Sequence, residues 1–151
     1  MKLIRLSFFV LALVAFGLNS CKKSSESTTK KTTNTVALKY NGTAYSTSTI
    51  TAAYSKGALQ IIATFSTTTS VYLAIVSDVK VGSFDLATGA GAGTFTLGTS
   101  NAILGDTGTI TITSFTGTTV AGSFTFSGPN LTGSGTGDIT EGTFQTSYTT
   151  Q

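Results

Sequence analysis

Apolar residues recur at every second position over most of this chain, and this spacing constrains the fold more than any other feature. Leu59, Ile61 and Phe65 fall on one face of an extended segment. The stretch 120–126 repeats the pattern with Val120 and two phenylalanines. A period of two places alternate side chains on opposite faces of a strand, whereas a helix needs a period near 3.6. The pattern therefore predicts β-strands with one buried face.

Turn residues divide these extended segments from one another. Asn41-Gly42 predicts a two-residue hairpin turn after a strand at Val36–Tyr40, because both turn positions require a positive φ. Thr43–Ser55 is predicted as the returning strand, with a kink at Ser46–Ser48, and Gly89–Gly93 as a hairpin loop. The other predicted strands are Ala58–Phe65, Val71–Val76, Gly82–Leu86, Thr94–Leu97, Thr109–Phe115, Val120–Phe126 and Gly137–Tyr148.

The last predicted strand breaks the period-two rule. Ile139 lies at an odd position, whereas Phe144 and Tyr148 lie at even ones. A regular strand cannot place all three on one face, and one additional residue restores the parity. The sequence therefore predicts a β-bulge near Glu141-Gly142, with the glycine adopting the unusual backbone angles.

Composition supports a single all-β domain over residues 35–151. Charged residues are 10% of the chain, against about 25% in typical soluble domains, and threonine and serine supply most of the polarity. Threonine is β-branched and suits a pleated surface. This segment is long enough for one core. We expect an antiparallel sandwich or flattened barrel of about eight to nine short strands, mostly in meander order.

The N-terminus has the pattern of an export signal. A basic start precedes an apolar run, Leu6–Leu18, which is shorter than the roughly 20 residues that span a bilayer. The exit, Leu18-Asn19-Ser20-Cys21, resembles the lipobox of bacterial lipoproteins. The resemblance implies a lipoprotein signal peptide over residues 1–20, cleaved before Cys21, which receives diacylglycerol and fatty acyl chains such as palmitate. We expect no helix after the signal peptide.

A polar segment separates the cysteine from the domain. Lys22–Asn34 has no apolar residue, so we expect a flexible tether over residues 21–34. The basic residues are concentrated in the signal and the tether. From Thr35 onward three lysines stand against five carboxylates, a net charge of −2. We therefore expect a membrane partner through the lipid on Cys21 and no nucleic-acid partner.

Four short segments resemble a known family. Gly108–Phe115, Val120–Phe126 and Asp138–Phe144, together with Tyr40–Tyr45, are similar to small Bacteroidota lipoproteins with a C-terminal all-β domain of unknown function. The likeness spans roughly residues 36–146. The resemblance implies a lipid anchor in the outer membrane of a Gram-negative cell envelope. The family has no established catalytic residues, so the resemblance assigns none to this chain.

Catalytic chemistry has little support in the residues. The chain has no histidine, which removes the commonest general base and metal ligand. After lipidation of Cys21 no thiol nucleophile remains. Asp138 and Glu141 are the one carboxylate pair that suggests glycosidic chemistry, and we favour two solvated rim residues instead. We therefore predict no catalytic residue, no metal and no cofactor.

The tyrosines are the remaining candidate ligand contacts. Tyr40, Tyr45, Tyr54 and Tyr72 either form a carbohydrate-stacking face or line the edge of the core. We expect a non-catalytic structural or interaction module whose protein or glycan partner is unknown. The alternatives are a glycan- or lipid-binding lipoprotein, favoured by a tyrosine-lined pocket between the sheets, and a carboxylate-dependent hydrolase, favoured by carboxylates facing each other across a cleft.

Overall fold

Twelve strands form two six-stranded sheets in the computed structural model, which describes residues 33–76 and 78–151. The predicted signal peptide, Cys21 and most of the predicted tether lie outside the described residues. The strands are β1 (Thr35–Tyr40), β2 (Thr43–Thr47), β3 (Ile50–Ser55), β4 (Ala58–Ser66), β5 (Thr69–Ile75), β6 (Gly82–Asp85), β7 (Gly91–Leu97), β8 (Asn101–Leu104), β9 (Thr107–Phe115), β10 (Thr119–Pro129), β11 (Thr136–Ser147) and β12 (Thr149–Thr150).

The two sheets are layered as a sandwich. The first sheet has the order β2-β1-β11-β10-β9-β6, and the second has the order β12-β3-β4-β5-β7-β8. Neighbouring strands are antiparallel except for the short β12, which runs parallel to β3. The expected all-β sandwich is confirmed, and the sheets do not close into the flattened barrel that was the alternative. No helix occurs among the residues that the structure describes.

The predicted alternation gives each sheet one buried face. The residues Ile110, Ile112 and Phe124 of the first sheet are at most 1% exposed, and Leu73 and Phe95 of the second sheet are equally buried. The inward side chains of both sheets form one hydrophobic cluster. The inward faces of the two sheets therefore share one core among the described residues.

The number of strands exceeds the expected eight to nine, for two reasons. Thr43–Ser55 is not one kinked strand, because the chain leaves the first sheet after Thr47 and enters the second at Ile50. The Thr47 hydroxyl donates to the Thr64 carbonyl at 2.8 Å and fixes this corner. The short strands β8 and β12 account for the rest. Strand β8 has four residues, among them the buried Ile103.

The meander order holds within parts of each sheet. Strands β3, β4 and β5 follow one another directly, as do β9, β10 and β11. Between these runs the chain crosses from one sheet to the other, and β1 pairs with β11 from the far end of the domain. The expected tight turn is confirmed at Asn41-Gly42, and a second tight turn forms at Lys56-Gly57; both residues of each turn have positive φ.

The glycine run is not the hairpin loop that was predicted. Gly91 and Gly93 lie inside β7, and β6 and β7 belong to different sheets. A Cβ at Gly93 would come within 2.8 Å of the Phe126 ring, which reaches across from the first sheet. Gly93 is therefore glycine because a ring packs against the strand backbone.

The predicted bulge in β11 is confirmed, but the residue with unusual angles is different. Phe124 pairs with Gly142 and Phe126 pairs with Ile139, so two residues of β11 stand opposite one of β10. Glu141 has the positive φ, at 51°. A Cβ on Gly142 would lie 2.4 Å from the Phe124 carbonyl oxygen. The glycine therefore provides space, and the glutamate adopts the left-handed conformation.

Candidate functional site

Two of the predicted tyrosines pack at the edge of the core. The Tyr40 ring lies 5.2 Å from that of Phe95, and the Tyr45 ring lies 5.6 Å from the same ring. Tyr45 also meets Phe65 edge-on at 5.8 Å. These centroid distances are typical of aromatic pairs in a core. Both side chains are half-buried, so they contribute mainly to packing at this edge.

Tyr54 belongs to a second aromatic cluster. Its ring lies 5.4 Å from Phe115 and 5.7 Å from Tyr148, and those two rings stack on each other. The Tyr148 hydroxyl donates to the Thr116 carbonyl. Burial raises the pKa of the Tyr148 hydroxyl above 10.0, and the neighbouring Tyr54 adds to the effect. This cluster fastens the end of β11 to β3 and to the β9–β10 turn.

Tyr72 is placed differently, on the outer face of the second sheet. It stands between Ile62 of β4 and Thr94 of β7 in the strand register. The four tyrosines therefore occupy three separate places: of the two alternatives, Tyr40, Tyr45 and Tyr54 line the edge of the core, and a stacking face common to all four is not formed. Whether any of them contacts a ligand stays a prediction, and the position of Tyr72 suits that role best.

The two candidate carboxylates lie on the solvent side of β11. The Glu141 carboxylate forms an ion pair with the Lys39 ammonium at 2.8 Å, and its side chain is 67% exposed. Asp138 is exposed, and its backbone N–H donates to the Asn41 side-chain oxygen at 3.0 Å. Glu141 lines a shallow concavity of about 250 Å³ that Asp138 does not line. The pair therefore does not face across a common cleft at this concavity.

The space between the sheets offers no room for a ligand at the centre of the core. A gap lined by Leu59, Leu73, Ile110 and Phe144, among others, has no volume for a water molecule. Interdigitating side chains in a close-packed protein interior leave few voids that are larger than a water molecule. No group of three or more His, Cys, Asp or Glu that could hold a metal ion occurs among the described residues.

The outer face of the second sheet carries an uncharged surface. Alternation along β4, β5, β7 and β8 directs small, hydroxyl and apolar side chains outward. Within the described part of the chain, none of the outward side chains of these strands is charged. We call this surface the uncharged face, and its outward residues are Gln60, Ile62, Thr64, Ser70, Tyr72, Ala74, Ala92, Thr94, Thr96, Ala102 and Leu104.

Part of the uncharged face is concave. The concavity holds about 460 Å³ and is bounded by the β4–β5 turn and the β7–β8 turn. We call it the hydroxyl concavity, because eight of its ten lining residues are serine or threonine. The lining residues are Ile62, Thr64, Ser66, Thr67, Thr68, Thr69, Ser70, Thr96, Gly98 and Thr99.

Sequence reasoning did not identify this site as a unit. The polar turn after Phe65 and the alternation of Thr94 and Thr96 are visible in the sequence. Their proximity depends on the register of β5 with β7, in which Ser70 pairs with Thr96. The predicted strand Val71–Val76 is apolar on both faces, which is typical of a central strand. Its sequence does not show which polar residues of the neighbouring strands lie beside it.

The geometry defines a β-sandwich domain with a packed core and one uncharged concave surface. No protein-family model, curated protein or solved structure matches the chain. Among the residues that the structure describes, no helix has the length and hydropathy that crossing a membrane requires.

Proposed function

We propose that this chain is a lipid-anchored protein of a bacterial cell envelope, and that its β-sandwich is a non-catalytic structural or interaction module. The observation that carries the anchor is the segment Leu18-Asn19-Ser20-Cys21, which ends a short apolar run and contains the only cysteine of the chain. Each buried lipid CH₂ contributes about 0.8 kcal/mol of membrane affinity. Several acyl chains on Cys21 therefore hold the protein at the membrane.

The resemblance to small Bacteroidota lipoproteins supports the outer membrane as the site of the anchor. The polar segment after Cys21 acts as a spacer that holds the sandwich away from the lipid surface. Lys22-Lys23 follow the cysteine directly. The anchor is compatible with a domain on the periplasmic surface or on the outer surface of that membrane.

The surroundings of the carboxylates support a non-catalytic module. Glycosidic chemistry needs two carboxyl groups on opposite sides of a scissile bond. Glu141 is exposed and paired with Lys39, and the concavity that it lines lacks Asp138. The chain also lacks histidine. We therefore place interaction ahead of hydrolysis as the role of the domain.

A ligand-binding role is the second candidate, and the hydroxyl concavity favours it. The concavity volume, about 460 Å³, falls in the range of about 300–1,000 Å³ that is common for ligand sites. A lipid ligand has less support than a glycan, because the gap lined by Leu59, Ile110 and Phe144 at the centre of the core has no volume for a water molecule. The site for a glycan is accordingly on an outer face and not inside the sandwich.

The anchor is tested by Cys21→Ala in the producing cell. We expect the wild-type protein to enter the detergent phase on Triton X-114 partitioning and to incorporate labelled palmitate. Cys21→Ala is expected to do neither, because the acceptor sulfur is absent. Ser25→Ala, four residues after Cys21, is the matched control and is expected to behave as wild type. Detergent partitioning that is unchanged in Cys21→Ala would contradict the proposed anchor.

A further inference from the structure

Three hydroxyl residues stand side by side across the hydroxyl concavity. Thr64 pairs with Ser70, and Ser70 pairs with Thr96, on three neighbouring strands. Adjacent strands are about 4.8 Å apart, so this row covers roughly 9–10 Å. Within the described residues these three hydroxyls make no hydrogen bond to a protein group, although the Thr64 carbonyl accepts one from Thr47. They are therefore available to a ligand as donors and as acceptors.

The adjoining row on the same face is largely apolar. It runs from Ile62 through Tyr72 and Thr94 to Leu104. Ile62 is 42% exposed and Leu104 is 43% exposed, and the ring of Tyr72 lies half-buried between their strands. An aromatic ring has a negative face that attracts C–H groups of partial positive charge. A hydroxyl row beside an apolar row with an aromatic ring offers hydrogen bonds and a stacking surface at once.

The lack of charged side chains on the uncharged face favours neutral ligands over anionic ones. Phosphate backbones and anionic lipid headgroups are recognised by lysine and arginine. None of the outward side chains named for the uncharged face is charged, and the lysines nearest in sequence, Lys56 and Lys80, lie in turns or loops outside these strands. An uncharged polyol exchanges its hydrogen bonds with water for hydrogen bonds with threonine and serine, and no ion has to be desolvated.

We propose that the hydroxyl concavity and the neighbouring Tyr72 form a binding site for a neutral oligosaccharide. Sugar hydroxyls bond to Thr64, Ser70 and Thr96, and the C–H face of a sugar ring packs on Tyr72. The inference rests on the proposed function of the domain as a non-catalytic interaction module, and it does not depend on the lipid anchor. The open shape of the concavity suits a segment within a longer glycan chain.

The site is tested with the purified full chain in detergent, applied to immobilised neutral cello-, xylo- and manno-oligosaccharides and to acidic heparin and polygalacturonate fragments. We expect binding to at least one neutral series and none to the acidic fragments. Thr96→Val removes one hydroxyl and keeps the β-branched shape, and it is expected to weaken binding about 3- to 10-fold. Tyr72→Leu keeps apolar bulk and is expected to weaken binding by a similar factor.

The matched control is Thr125→Val on β10, an exposed outward threonine of the first sheet. It is expected to bind as wild type, and circular dichroism is used to check that all variants fold. Binding to acidic fragments alone, no binding to any neutral series, or equal binding by all variants would overturn the proposal. A dimer that dissociates in Thr96→Val would also overturn it, because the face would then hold a second copy. Cleavage of a bound oligosaccharide would instead contradict the non-catalytic function.

Discussion

Replacement of Gly142 by alanine tests why the bulge in β11 contains a glycine. The new Cβ would lie 2.4 Å from the Phe124 carbonyl oxygen and 2.6 Å from a carbon of the Phe124 ring. Real Cβ atoms do not approach so closely, and Phe124 is 1% exposed, so its ring has no free space to enter. Either β10 and β11 separate locally or the core repacks around the methyl group.

The expected cost follows from these two contacts. Overpacking a dense core costs about 1–3 kcal/mol, and weakening one ladder hydrogen bond adds about 1 kcal/mol. We therefore expect Gly142→Ala to lower the free energy of unfolding by about 2–4 kcal/mol. For a domain of this size the melting temperature should fall by roughly 3–4 °C per kcal/mol.

Urea denaturation followed by circular dichroism measures the change. Gly117→Ala is the matched control, because Gly117 lies in the β9–β10 turn with no atom within 4 Å of its Cβ position and no positive φ. It is expected to shift the unfolding free energy by less than about 0.5 kcal/mol, or to stabilise the domain slightly. Equal stability of Gly142→Ala and Gly117→Ala would refute the close approach of β10 and β11 at this position.

Two further predictions concern single side chains. Tyr148→Phe tests the raised pKa of the Tyr148 hydroxyl. Because the folded state favours the neutral phenol, its contribution is fully present below about pH 10 and is lost as the pH rises through the folded pKa. Urea midpoints of the wild type should therefore fall more steeply above pH 10 than those of Tyr148→Phe, and parallel curves would contradict the shift. Lys39→Ala removes the exposed ion pair with Glu141. The free energy of unfolding should fall by less than about 1 kcal/mol, and the difference should shrink at high salt. A larger loss that does not depend on salt would indicate that the ion pair is shielded from solvent.

The sequence predicts the presence of the bulge in β11, but not which residue of the bulge has the unusual backbone angles. Parity alone predicts that Ile139 and Phe144 can share a face only with an additional residue between them, and the strand has that residue. The same reasoning assigns the unusual backbone to Gly142, whereas the structure gives it to Glu141. That assignment depends on which residue Phe124 approaches from the neighbouring strand, and a single strand does not contain this information.

The candidate site was predictable only in its parts. Tyr72 and the abundance of threonine are evident from the sequence. In the fold, however, Tyr72 does not lie beside the three other candidate tyrosines. Tyr40 and Tyr45 pack on Phe95, and Tyr54 packs on Phe115. The sequence alone does not show whether an aromatic ring lies at the edge of the core or on an outer face of a sheet.

By itself the sequence determined the strand type, the buried faces and the tight turns, because these depend on side-chain alternation and on local φ preferences. Only the tertiary structure decided that the chain changes sheets after Thr47, that Gly93 lies in a strand beneath Phe126, and that Ser70 stands beside Thr96. Each of these depends on a contact between residues far apart in the chain or on different strands. The uncharged face exists because four separate strands align their outward residues, and register between strands is set by packing of the whole core.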